Sequence, residues 1–269
     1  STMANGYPAP APSQTTRPSC AGHPQTRSAV AARWWNPMLT HSGWSQGPNM
    51  GTKRTRLGGA GTQTAALGAG GYSNPPNSPN QTSTEEYDGS SWTAGGALNT
   101  GRQNIGLTGT QTAGLGFGGT SDPDATENYN GTSWTSGNNM NSGRSALSGA
   151  GIQTATLALG AFPASSSSES WNGTSWTATP ALNTARGFLA GSGTQTSALA
   201  FGGIEPGNSN KTESFNGTSW SNQPNLGSAR YGLSGDGTRT AAFAAGGNSP
   251  TTATEEFTRS TNVITPDAW

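Results

Sequence analysis

The sequence predicts an all-β protein: a five-bladed β-propeller of four-stranded antiparallel blades, with an irregular N-terminal arm. Three observations carry this. The first is a set of landmarks repeated five times over 269 residues. A Trp recurs at Trp44, Trp92, Trp134, Trp176 and Trp220. Ten residues after each comes an Arg (Arg54, Arg102, Arg144, Arg186, Arg230), and seven after each Arg a Gly (Gly61, Gly109, Gly151, Gly193, Gly237). The second is the turn before four of the Trp residues: Asp88-Gly89, Asn130-Gly131, Asn172-Gly173 and Asn216-Gly217. Asn-Gly and Asp-Gly accept positive φ at both central positions, which a type I′ hairpin requires. The third is how the series starts and stops. It opens on a fourth-strand position at Trp44 and ends on a third-strand position at Phe257. The last sheet can therefore be completed by the strand around Trp44, with the tail from Arg259 as the competitor for that position, and ring closure removes free edges.

Each element of the unit has a local cause. The first strand is expected to begin near the Arg, as in Arg144-Ser145-Ala146-Leu147-Ser148. A tight turn follows, as in Gly193-Thr194-Gln195-Thr196, then a small apolar strand, Ser197-Ala198-Leu199-Ala200-Phe201. That strand ends at Gly202-Gly203, as others end at Gly71, Gly119, Ala161 and Gly247. A loop leads to a third strand with a Glu two residues before an aromatic: Glu85/Tyr87, Glu127/Tyr129, Glu169/Trp171, Glu213/Phe215 and Glu255/Phe257. The hairpin turn then delivers the fourth strand with its Trp.

Outside the repeats the composition changes. Residues 1–43 are rich in Pro, Ser and Thr and hold Arg17, Arg27 and Arg33 with no acid. This reads as an extended, basic arm that anchors to a neighbouring subunit or links to it. Residues 44–258 form the propeller, and 259–269 are a tail that leaves the pattern. The whole chain has net charge zero, and the repeats offer no basic face for nucleic acid. No run of about 18 apolar residues marks a membrane span, and no charged start with an apolar stretch marks a secretory signal. The one Cys, Cys20, has no partner for an intrachain disulfide.

These residues resemble a kelch-type repeat: Gly118-Gly119, Tyr129, Trp134 and Arg144, then Gly202-Gly203, Phe215, Trp220 and Arg230. The resemblance covers about 215 residues, from Trp44 to Phe257. Gly160-Ala161 departs from it, and the unit is shorter than the usual kelch length of about 50. The wording GTQT-x-AL-x-FGG followed by TE-x-Y-NGTSW looks like repeats of structural proteins of marine bacteriophages. That resemblance implies a virion or extracellular setting, as a tail, fibre or decoration component facing the host.

Catalysis is not expected. His23 and His41 both lie in the arm, so a Ser-His-Asp or Cys-His arrangement would need the arm to fold over the propeller. Metal-ligand clusters of His and Cys are absent from the sequence, and Cys20 alone cannot supply the Cys-Tyr link of kelch-type copper oxidases. No cofactor is expected. The Gly-Gly pairs end strands and do not open helices, so they are not phosphate loops. Asp122 and Asp124 read as a solvated loop. Asn80, Asn130, Asn172, Asn210 and Asn216 sit in Asn-x-Ser/Thr triplets, but three of them already have a turn to make.

The recurring Trp and third-strand aromatics are expected between blades, with exposed sugar platforms as the sharper alternative. The five Arg and five Glu are expected to pair and hold strand ends, with a charged ring around the central channel as the alternative. Length varies only between the Gly-Gly and the Thr-Glu positions: 72–83, 120–125, 162–167, 204–211 and 248–253. These loops share one face, the usual place for recognition on a rigid scaffold. The expected contacts are Tyr72, Asn74, Pro75, Pro76 and Asn77 in the longest loop, and Ile204, Glu205 and Asn208. The reading is a non-enzymatic virion structural or attachment protein whose partners are other subunits, reached through residues 1–43. The rival is a carbohydrate-binding propeller that takes a host-surface glycan; a propeller hydrolase or oxidase comes third.

Overall fold

The computed structural model describes residues 47–73, 80–248 and 253–259. Nineteen strands form five antiparallel sheets, each a meander in chain order. Blade 1 holds β1 (Gly58–Thr62), β2 (Ala65–Ala69), β3 (Thr84–Tyr87) and β4 (Trp92–Ala94). Blade 2 holds β5 (Gly106–Thr110), β6 (Ala113–Phe117), β7 (Thr126–Tyr129) and β8 (Trp134–Ser136). Blade 3 holds β9 (Ser148–Ile152), β10 (Ala155–Ala161), β11 (Ser165–Trp171) and β12 (Trp176–Thr179). Blade 4 holds β13 (Ala190–Thr194), β14 (Ser197–Phe201), β15 (Thr212–Phe215) and β16 (Trp220–Gln223). Blade 5 shows β17 (Ser234–Gly237), β18 (Ala241–Ala245) and β19 (Thr254–Thr258) among the described residues. The expected strand at Trp44, the arm and the tail from residue 260 on lie outside them. The fold is the predicted all-β propeller.

The first strand of each blade lies nearest the axis, where β1, β5, β9, β13 and β17 pack side by side in turn. Crowding there explains the small residues. A Cβ on Gly149 would meet the Phe117 ring and Thr108 Cγ2, each at 2.7 Å. The Gly seven residues after each Arg has a different cause. Gly109, for example, has φ +107°, and a Cβ there would stand 2.1 Å from the Ala113 carbonyl oxygen. Such positions sit at the end of the first strand and turn it into the second.

At the opposite turn, between third and fourth strands, Asn130, Asn172 and Asn216 each accept the N–H groups two and three residues on through Oδ1. Blade 1 has Asp88 instead. Its Oδ1 accepts Ser90 Oγ–H and Ser90 N–H at 2.8 Å and Ser91 N–H at 2.7 Å. These bonds, the Ser90 hydroxyl first, hold its pKa down from 3.8 to about 2. A depressed carboxyl stabilises the fold above its unfolded pKa, and that contribution is lost as pH falls towards the folded value. The Asp88 carboxyl carbon should therefore titrate by NMR near pH 2; a midpoint at the ordinary 3.8 would remove the turn's acid sensitivity. Asp88→Asn should keep the turn and abolish that sensitivity.

Four buried clusters hold four interblade faces. Between blades 1 and 2, Leu67 and Ala69 meet Ile105, Leu107, Tyr129 and Trp134. Between 2 and 3, Leu115 and Phe117 meet Leu147, Trp171 and Trp176. Between 3 and 4, Leu157 and Leu159 meet Leu189, Phe215 and Trp220. Between 4 and 5, Leu199 and Phe201 meet Leu233, Ala242 and Ala244. Polar staples add direction. Trp134 Nε1 donates to Thr84 Oγ1 and Trp176 Nε1 to Thr126 Oγ1, both at 2.9 Å. Trp220 donates instead to the Pro180 carbonyl at 3.0 Å, and Ser168, at the position of those threonines, shares a hydrogen bond with Thr179 Oγ1 at 2.6 Å. The Gln of the turn between first and second strands reaches back one blade: Gln111 to Tyr87 O, Gln153 to Tyr129 O, Gln195 to Trp171 O. Tyr129 Oη–H donates to Glu86 of blade 1; burial first, then this bond, pushes the phenol up to about 12.

The face between blades 5 and 1 differs. Phe243, at the repeat position of Leu67, Leu115, Leu157 and Leu199, is 39% exposed, and Gln63 is exposed where its three counterparts are half-buried. Trp92 is half-buried, against Tyr87 at 5.1 Å. Among the described residues, β17 and β1 make no contact like those of the other first strands. Among the described residues, the blade 4–5 cluster holds no indole. A cavity opens there, lined among others by Leu199, Phe201, Thr212, Leu226 and Phe257. Thr212 holds the repeat position at which Thr84 and Thr126 accept an indole N–H.

Two expectations need correction. The first strand does not start at the Arg: β9 begins at Ser148, and Ala146 has φ +54°. A left-handed residue breaks the strand there, and its N–H serves the neighbouring blade. The 162–167 segment is also not a six-residue loop. β10 and β11 run on to Ala161 and from Ser165, with a register shift between Leu159 and Ala161.

Candidate binding face

The face that carries the loops is built on five charged clamps. In blade 2, Arg102 Nη1 donates to Gly118 O at 2.8 Å and Ala125 O at 2.9 Å, and Nη2 donates to Glu127 Oε1 at 2.7 Å. Glu127 Oε2 accepts Asn99 N–H at 2.8 Å. One pair thus ties the end of the second strand, the start of the third and the incoming chain. Arg54 holds Gly70 O, Ser83 O and Glu85, and Arg186 holds Gly202 O, Lys211 O and Glu213. Arg230 holds Ala253 O and Glu255, the latter at 3.1 Å. Arg144 keeps Glu169 at 3.0 Å, but its buried Nη1 has no partner. The hairpin β10–β11 continues where the other blades open, so that guanidinium loses its carbonyls.

Burial pushes the pKa of Arg54, Arg102, Arg144 and Arg186 down, and the facing carboxylate pulls it back up. The pairs lie within blades and do not form a ring around the channel. The axial cavity, about 460 Å³, is lined by the five first strands. Leu57, Ile105, Leu147, Leu189 and Leu233 contribute aliphatic side chains, and among the described lining residues Asp236 is the one ionisable group. Asp236 is exposed and accepts its neighbour's Gly237 N–H at 2.7 Å. No group of three or more His, Cys, Asp or Glu that could hold a metal occurs among the described residues. No helix among them is long and apolar enough to cross a membrane.

Just beyond each Arg the backbone forms a second ring. The residue two after the Arg is left-handed in all five blades: Arg56 (φ +57°), Asn104 (+54°), Ala146 (+54°), Phe188 (+51°) and Gly232 (+62°). Four of them donate their N–H to the previous one's carbonyl, Asn104 to Arg56, Ala146 to Asn104, Phe188 to Ala146 and Gly232 to Phe188, at 2.8–3.0 Å. The residue one after the Arg pairs with the residue after the Gly-Gly position, as Thr55 with Tyr72, Ser145 with Phe162 and Gly187 with Ile204. Left-handed backbone at a bulky residue costs of order 1–3 kcal/mol and persists only where the surroundings impose it. Here the interblade ring imposes it on Phe188.

The side chains presented by this ring divide the face. Blades 1 and 2 present Thr55, Arg56, Tyr72, Gln103, Asn104 and Thr120, with Arg56 Nη1 donating to Gln103 Oε1 at 3.2 Å. Blades 3 to 5 present an aromatic ridge. The Phe162 and Phe188 rings lie 5.5 Å apart at 48°, and Phe188 and Tyr231 5.9 Å apart at 57°. Phe162 is 47% exposed; Phe188, Tyr231 and Ile204 are half-buried. Tyr231 Oη accepts a hydrogen bond from Asn248 Nδ2.

Of the expected contact residues, Ile204, Glu205 and Asn208 come together in one small turn, where Ile204 bridges to both Gly187 and Asn208. Glu205 is paired with Lys211 at 3.2 Å on the surface. Tyr72 holds the same ring position as Ile204, three blades away, and bridges Thr55 and Asn80. Asn74, Pro75, Pro76, Asn77 and Trp44 lie outside the described residues. Trp134, Trp176 and Trp220 are buried, so they are not exposed platforms. Phe162, Phe188 and Tyr231 escape the sequence reading because they sit at three different repeat offsets. The signal was available in the residues just past each constant landmark.

Compared with known proteins, the chain matches no protein-family model and no curated protein. The propeller architecture is what the structure supports of the kelch and phage resemblances.

Proposed function

We propose that the protein is a non-enzymatic recognition scaffold, used as a structural or attachment component of a virion. The observation that carries this is the clamp-and-ring construction of one face. Arg54, Arg102, Arg186 and Arg230 fix loop ends through backbone carbonyls, and all five Arg pair with the Glu of their own blade. The variable side chains sit directly above them. Buried charge here works on geometry, and among the described residues no acid–base pair lines the axial cavity. The virion assignment follows from the resemblance of the repeats to marine bacteriophage structural proteins, and residues 1–43 are the anchor to neighbouring subunits. A carbohydrate-binding propeller is the second reading, favoured by the exposed aromatic ridge.

The anchor is tested by light scattering of the full chain against a chain lacking residues 1–40. The full chain is expected to assemble, and the shortened one to stay folded and monomeric. Two identical monomers would remove the structural role.

A further inference from the structure

We infer that the Phe162–Phe188–Tyr231 ridge is a platform for an uncharged saccharide. The inference rests on the recognition reading above and names the ligand class of that face.

Three features point to this chemistry. The first is exposure of aromatic surface on a frame that holds it rigidly. Phe188 is fixed by the interblade ring through its own N–H and C=O, each at 2.8 Å, and Phe162 by its bridge to Ser145. Both rings are therefore ordered before any ligand arrives, which lowers the entropic cost of binding. The second is the polarity of the border. Around the ridge stand hydroxyl and amide groups, Ser145, Asn248 and the Tyr231 phenol, suited to sugar hydroxyls as donors and acceptors. The nearest acid in sequence to Ile204, Glu205, is occupied by Lys211. No charged side chain belongs to the ridge, so an anionic sugar, phosphate or sulfate finds no counter-charge there.

The third is size. An aromatic side chain buries roughly 150–250 Å² even when it starts wholly exposed. Phe162 is only 47% exposed and the other two rings are half-buried. Their sum falls short of the roughly 800 Å² per partner in a stable protein interface. A sugar ring stacked on one or two aromatic faces needs far less. The ridge also spans three blades, which leaves room for consecutive sugar units along it.

The test is a printed panel of neutral, sialylated and sulfated oligosaccharides probed with the full-length protein. Neutral glycans are expected to bind. Phe162→Ala and Phe188→Ala should each weaken that binding at least about fivefold, the equivalent of one lost aromatic contact. Ile152→Ala is the control: this side chain is 57% exposed and lies beside the tight turns of the opposite face. It should bind as the parent does. Phe162→Ala removes an exposed side chain, so its fold is expected to survive, and an unchanged thermal midpoint checks this. Binding confined to charged glycans, equal binding by parent and Phe162→Ala, or no glycan binding at all would each overturn the inference. Assembly of the full chain in light scattering is independent of this panel. A silent panel with intact assembly removes the saccharide alone.

Discussion

Replacing Arg186 with alanine is expected to lower stability by about 3–5 kcal/mol, the cost of leaving a buried ion pair without one partner. Arg186 is fully buried and serves three acceptors: Gly202 O at 2.8 Å, Lys211 O at 2.6 Å and Glu213 Oε1 at 2.9 Å. Its removal strands a buried carboxylate and two carbonyls. Arg186→Lys should recover little, because a single ammonium cannot span the carbonyls and the carboxylate together. Arg186→Met with Glu213→Leu should recover most of the loss, since an apolar pair of similar volume removes the desolvation penalty. The five clamps should also rank. Arg144→Ala should cost less than Arg186→Ala, because Nη1 of Arg144 already lacks a partner. Arg230→Ala should cost less again, because Glu255 is 29% exposed and water can take over its charge. Urea denaturation of the set measures the order. A loss below about 1 kcal/mol at Arg186 would match a surface pair and refute the clamp.

The clamps show how much could be read from the residues alone. Fixed spacings brought Arg and Glu to constant places, and the pairing is what strand ends with orphan carbonyls demand. The Asn-Gly turns were legible because their cause is local, a matter of φ and one side-chain oxygen. What was not legible has a non-local cause. Ala146 and Phe188 read as strand residues; they are left-handed because the N–H of each serves the preceding blade. The longer hairpin of blade 3 depends on Ser165 pairing with Ala161 where the other blades open. The aromatic ridge is hidden for the same reason. Its three members become neighbours only when three blades are set around one axis.

Ring and ridge are also coupled. The frame that orders Phe188 is the frame that joins blades 1 to 5, so recognition and interblade packing draw on the same hydrogen bonds. Stability of the propeller and order of its loop face should therefore fall together. Arg186→Ala is expected to blur the face as well as weaken the fold, since Arg186 stands two residues before Phe188.

Trp134→Ala is expected to cost about 3–5 kcal/mol, the usual loss for a large aromatic cut from a core. Trp134 is buried between blades 1 and 2, packs on Tyr129 at 4.9 Å and donates to Thr84 Oγ1 at 2.9 Å. Thr84→Val should cost about 1 kcal/mol, because it leaves the buried indole N–H without its acceptor. The double variant should then cost less than the sum, by about the energy of the shared bond. Trp92→Ala is the informative comparison. It removes the same residue from the same repeat position, but Trp92 is half-buried. Its loss should be well under that of Trp134. The difference measures what fuller burial and a hydroxyl for Nε1 add to one indole. Equal losses in thermal and urea unfolding would mean that Trp92 is covered as fully as Trp134.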